Sequence, residues 1–174
     1  MMHDPRSEFP EPIPGELHSE YEERPFLTCT RCGETLKDFA EGYQIAKVFK
    51  ADEVIFEYAL CGPCHSGLVE DFSDESRRVL EDFYAENMTP GLGAEVCGIC
   101  EHTREELVEP EFALGAACQS DSLLEAFMIC SACLERTNGL ISKKTQGIWG
   151  DFIDDNFPGV PADALPEPTS VPFF

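Results

Sequence analysis

Basic residues are scarce in this chain: 12 lysines and arginines stand against 34 aspartates and glutamates, giving a formal charge of −22. A surface of that sign repels phosphate backbones and argues against DNA or RNA as partner, while favouring solubility and basic protein partners. Long apolar runs are missing too; none approaches the roughly eighteen residues a bilayer span needs. The opening MMHDPRSEFPEP has neither a basic n-region nor an apolar h-region. The expectation is a soluble, cytoplasmic protein with no membrane association. There is also no HExxH, no phosphate-binding glycine loop and no nucleophile beside an evident base, so a non-catalytic role is expected.

Cysteine, by contrast, is plentiful, with nine residues in 174. Eight fall in four CxxC pairs: Cys29 and Cys32, Cys61 and Cys64, Cys97 and Cys100, Cys130 and Cys133. In a reducing cytosol such pairs bind metal rather than form disulfides. Twenty-eight residues separate the first two pairs and twenty-nine the last two. Two sets of four thiolates at tetrahedral angles suit zinc, an ion without geometric demands of its own.

The chain also repeats itself. A shift of 69 lays residues 43–88 on 112–157 without a gap, bringing Cys61 onto Cys130, Cys64 onto Cys133, Ser73 onto Ser142, Phe83 onto Phe152 and Asn87 onto Asn156. Cys29 and Cys32 match Cys97 and Cys100 at a shift of 68, one inserted residue accounting for the difference. The predicted organisation is an acidic disordered arm (1–25), a first zinc module (26–88), a linker (89–94), a second zinc module (95–158) and a proline-rich tail (159–174). A pseudo-twofold pairing in which each hairpin covers the other is one arrangement that a duplication allows.

Each copy reads as an α+β unit. A CxxC turn leads into two strands with period-two alternation, Tyr43, Ile45 and Lys47 on the first and Val54, Phe56, Tyr58 and Leu60 on the second, around a turn at 51–53. Leu68, Val69 and Phe72 predict a short helix after the second CxxC. Ser73, followed by Asp74 and Glu75, predicts the N-cap of another, with Val79, Leu80, Phe83 and Tyr84 inward. In the second copy Ser142 takes the cap and Ile148, Trp149, Phe152 and Ile153 the inner face.

The order of knuckle, β-hairpin and helix opening with the last two ligands resembles the treble-clef class of zinc fingers. The similarity covers about residues 27–72 and 95–141. It implies two structural Zn2+ ions, held by Cys29, Cys32, Cys61 and Cys64 and by Cys97, Cys100, Cys130 and Cys133, and a surface that engages another protein as an adaptor or regulator. Glu101 stands where the first copy has Gly33, which predicts a less regular second knuckle.

Other resemblances name other chemistry. Rubredoxins also use two CxxC pairs at similar separation, implying iron and electron transfer, but a glycine normally follows their second pair where His65 and Leu134 stand here. Cys61, Gly62, Pro63 and Cys64 spell the thioredoxin CGPC, implying a thiol oxidoreductase or redox sensor; Ser131 and Ala132 occupy the middle positions in the second copy. Cys61, Cys64 and His65 spell the haem-attachment CxxCH, which the second copy does not repeat. His65 is expected to be solvated or to donate to a bound sulfur. Cys118, equivalent to Phe49, is expected in a buried strand. His102, close after Cys100, has no counterpart in the first copy and is left out of the ligand set.

Overall fold

The computed structural model describes residues 11–108 and 111–156, and the expected tail at 159–174 lies outside them. The elements follow the duplication. In the first copy β2 (Tyr43–Lys50) and β3 (Glu53–Cys61) form a hairpin, followed by α1 (Gly62–Asp71) and α2 (Asp74–Asn87). In the second, β4 (Glu111–Gln119) and β5 (Ser122–Cys130) form the hairpin, followed by α3 (Ser131–Asn138) and α4 (Lys143–Asn156). A short strand, β1 (Glu11–Pro12), precedes both.

The two hairpins do not cover one another. They join edge to edge through β2 and β4 into one antiparallel sheet of order β1-β5-β4-β2-β3. In the β2–β4 register Ala46 stands opposite Gly115, its own equivalent in the repeat, while Tyr43 faces Cys118 and Phe49 faces Phe112. That register maps onto itself when the copies are exchanged, so a pseudo-twofold axis passes through the Ala46–Gly115 pair. Both central strands are covered on two faces, which is why Ile45–Val48 and Phe112–Ala116 are buried without alternation.

The helices cross the axis. Tyr58 of the first hairpin packs edge-on against Trp149 and Phe152 of α4, at ring separations of 6.0 and 5.4 Å. Reciprocally, Phe83 of α2 lies under the Arg136 guanidinium of α3, and Met88, just past α2, closes on Gly98 of the second knuckle. Each copy therefore lends its last helix to the other, and one hydrophobic core runs through both. The helix N-termini meet at the axis. Ser73 caps α2 by accepting from Ser76 N and Ser142 caps α4 by accepting from Thr145 N, both at 3.1 Å. The N–H of each cap is satisfied by the other helix: Ser73 N donates to Thr145 Oγ1 at 3.0 Å and Ser142 N to Ser76 Oγ at 2.8 Å. This is a capping box exchanged between two helices instead of closed within one.

One strand expectation changes. The alternation expected from Val54 to Leu60 breaks at a β-bulge: Phe49 pairs with Val54 and Val48 with Phe56, leaving Ile55 between. Val54 thus opposes a strand position on the face away from Tyr58 and Leu60. The second hairpin bulges at the equivalent place, between Ala117 and Cys118. Both hairpins turn through a left-handed residue, Ala51 (φ 55°) or Ser120 (φ 54°).

The expected acidic arm at 1–25 is described only from residue 11. Residues 1–10 lie outside the described residues, but 11–24 run across the sheet as a strap. β1 pairs with β5 at Leu123 and Ser122, Leu17 is buried, and Glu16 bridges to Arg104. The anchor is Lys47, only 1% exposed, whose ammonium donates to the carbonyls of Glu16 (2.9 Å) and His18 (2.6 Å) and lies 3.6 Å from Glu57. Glu57 in turn accepts from Ser19 Oγ and from the N–H groups of Glu20 and Tyr21. A buried ammonium is costly unless paired, and the strap supplies acceptors that a proline- and glutamate-rich composition did not reveal.

Candidate metal centres

The first cysteine pair of each copy sits in a tight knuckle. Cys29 N donates to Glu34 O, and Gly33 N donates back to Cys29 O at 2.9 Å, with Gly33 in the left-handed region at φ 76°. The second knuckle repeats this: Cys97 N to His102 O, Glu101 N to Cys97 O at 2.9 Å, and Glu101 at φ 63°. The expected irregularity is absent. Glu101 adopts the glycine conformation, and the surrounding turn imposes a backbone that costs a residue with a Cβ on the order of 1 kcal/mol.

The second pair comes from the junction of strand and helix. Cys61 ends β3 and is the N-cap of α1, with Pro63 in its first turn; Cys130 ends β5 and is the N-cap of α3. Cys64 and Cys133 then lie in the first helical turn, where free N–H groups and the helix dipole favour negative sulfur. Hairpin and knuckle are tied together by Thr30 N donating to Ala59 O at 2.7 Å and Gly98 N to Met128 O at 2.9 Å.

These elements bring Cys29, Cys32, Cys61 and Cys64 together, and Cys97, Cys100, Cys130 and Cys133, with the four sulfurs of each set within 4.8 Å of one another. The Sγ atoms of Cys32 and Cys61 are 3.8 Å apart, and those of Cys100 and Cys130 3.7 Å. A tetrahedron with metal–sulfur bonds of about 2.3 Å has edges of roughly 3.8 Å, whereas a disulfide needs about 2.05 Å. Either set could hold a metal ion, and all nine cysteines are free thiols.

Electrostatics prepares one sulfur in each set. Burial opposes ionisation of Cys29, yet hydrogen bonds from the backbone of Cys32, Cys61 and Arg31 outweigh it and lower its pKa to about 7. Cys97 is also strongly lowered, by hydrogen bonds from Cys130 and Cys133 and, against burial, from the backbone of Cys100 and Cys130. The matching contacts are Cys61 N to Cys29 Sγ at 3.5 Å and Cys130 N to Cys97 Sγ at 3.4 Å. Burial and hydrogen bonds to its neighbouring sulfurs keep Cys64 protonated. A divalent cation would replace those shared protons while the backbone donors stayed in place.

The sets differ at their edges. Cys32 is exposed, whereas Cys100, its equivalent, is half-buried with His102 Nδ1 at 3.2 Å from its sulfur. His102 thus stands beside the second four-cysteine group as a neighbour of Cys100, and the only sequence signal for it was proximity. His65 is only partly exposed: its Nε2 is buried, facing the interior beneath α1, and burial lowers its pKa below the ordinary imidazole value. Cys118 joins neither set. It is 1% exposed in β4, as its equivalence to Phe49 predicts, with burial raising its pKa to about 11.

No family model, curated protein or solved structure matches the chain. The case for metal rests on donor type and geometry. Among the described residues, no helix is long and apolar enough to cross a membrane.

Proposed function

We propose that this is a non-catalytic protein with two structural zinc ions, built on treble-clef-like modules, whose fused pair forms a rigid adaptor or regulatory surface for another protein. The observation that carries the reading is the pair of four-sulfur clusters at tetrahedral spacing. Four protein ligands leave no open position for a substrate or water, which is the mark of a structural site. The knuckle, hairpin and ligand-bearing helix recur in the treble-clef order in both copies. Zinc is favoured over a rubredoxin-like iron because His65 and Leu134 follow the second pairs where rubredoxins carry glycine. The −22 charge supports a basic protein partner over a nucleic acid.

Elemental analysis of the purified chain, with a visible spectrum, tests the metal. About two zinc ions and no colour is the expected result; iron with a red chromophore would make it an electron carrier. One observation favours a redox reading of the same site. Cys32 is exposed, so peroxide would reach the first cluster first, and reversible zinc release on oxidation would assign a sensor.

A further inference from the structure

The interior between α1, the first hairpin and α4 carries its polar groups at other positions than the second copy, where Thr137 and Asn138, answering Leu68 and Val69, are the buried polar residues. Gln44, Tyr58, His65 and Trp149 line one small cavity there. Their equivalents under the repeat are Ala113, Phe127, Leu134 and Leu80, so every one of the four has lost its polar atoms on the other side of the pseudo-twofold axis.

Two of those polar atoms have no protein partner. Trp149 is 1% exposed, and its Nε1 makes no hydrogen bond among the described residues; His65 Nε2 is likewise buried and unpaired. Buried indole and imidazole nitrogens without a partner are rare, because each has given up its hydration. The cavity that both side chains line has a volume of about 10 Å³, close to what a single water molecule needs.

We propose that this cavity is a binding site for one ordered water, which accepts a hydrogen bond from Trp149 Nε1 and donates one to His65 Nε2. The water joins α1, the helix carrying Cys64, to α4, the helix lent by the second copy. It is a polar tie across the fused modules beside the first centre. The assignment stands on the cavity and the two nitrogens, independently of which metal the sulfurs hold.

Trp149 is the chain's single tryptophan, so its indole Hε1 gives one unambiguous NMR signal. In the 174-residue chain that proton should show a cross-peak to water whose sign inverts between NOESY and ROESY, the signature of dipolar contact and not of exchange. In His65→Leu, which installs the residue of the second copy, the cross-peak should fall to background while amide dispersion and metal content are kept. No dipolar cross-peak in the unaltered protein, or one that survives His65→Leu in a folded variant, overturns the proposal. Should that variant not fold, a crystal structure of the unaltered protein decides. Solvent density within hydrogen-bond distance of both nitrogens sustains the assignment, and an empty cavity refutes it.

Discussion

The hydroxyl oxygens of Ser73 and Ser142 lie 3.1 Å apart, although these residues occupy the same place in successive copies, 69 positions apart in sequence. Ser76 and Thr145 complete the cluster, so the two helix starts cap one another across the axis. Ser73→Ala and Ser142→Ala should each cost about 1–2 kcal/mol, as lost N-caps do. Because the caps share partners, the double variant should cost measurably less or more than the sum. A double-mutant cycle from urea unfolding reads the coupling; strict additivity would mean that the exchanged capping box contributes nothing as a unit.

Cys61→Ser should lower bound metal from about two equivalents to about one, whereas Cys118→Ser should leave both in place. Because one core serves both copies, chelation should unfold the chain in a single cooperative transition followed by circular dichroism. Equal metal loss from the two substitutions would refute the ligand assignment.

Glu57→Ala leaves Lys47 buried beside two carbonyls without its carboxylate, and should destabilise the protein by about 3–5 kcal/mol. It should also release the strap to proteases at 11–24, since Ser19, Glu20 and Tyr21 lose their acceptor. Removing both charges, Lys47→Met with Glu57→Ala, should cost less than the single change. The second copy already has Ala116 and Ala126 at these positions. Limited proteolysis and denaturation together test the pair.

Glu101→Gly should stabilise the second knuckle by up to about 1 kcal/mol, because φ 63° suits glycine better than a residue with a Cβ. Gly33→Ala should do the reverse at the first knuckle, where φ is 76°. A rise in Tm for the former and a fall for the latter, at constant metal content, is the expected pattern.

Burial raises the Cys118 pKa from 9.0 to about 11. The folded state therefore retains this proton where the unfolded chain releases it, and stability present below pH 9 is lost progressively as the pH rises to about 11. Cys118→Val should flatten that part of the stability profile. An unchanged slope between pH 9 and 11 would place the titration on other groups, of which Tyr43, raised to about 12, is the neighbour to examine next.

Much of this was legible in the residues themselves. CxxC spacing, the shift of 69, the caps at Ser73 and Ser142 and the buried stripes of α2 and α4 are local or periodic signals. They depend on bond geometry, hydrogen bonding over three or four residues and the pitch of a helix, all of which short windows carry. The two four-cysteine groups and the buried place of Cys118 follow from them.

What remained hidden was decided by contacts between residues far apart in the chain. Nothing local states that β2 pairs with β4 so that Ala46 meets Gly115, or that α4 covers the first hairpin and α2 the second. The strap could not be foreseen because its glutamates and prolines lack apolar periodicity, and it is held instead by Lys47 and Glu57, 29 to 38 residues along the chain from the groups they bind. Glu101 takes a glycine conformation because Cys97 and His102 close the knuckle around it. The sequence by itself determined the grouping of eight thiols into two sets and the existence of two copies. Only the tertiary structure decided that the copies share one sheet and exchange helices, because that choice lies in burying two hairpins which neither copy covers alone.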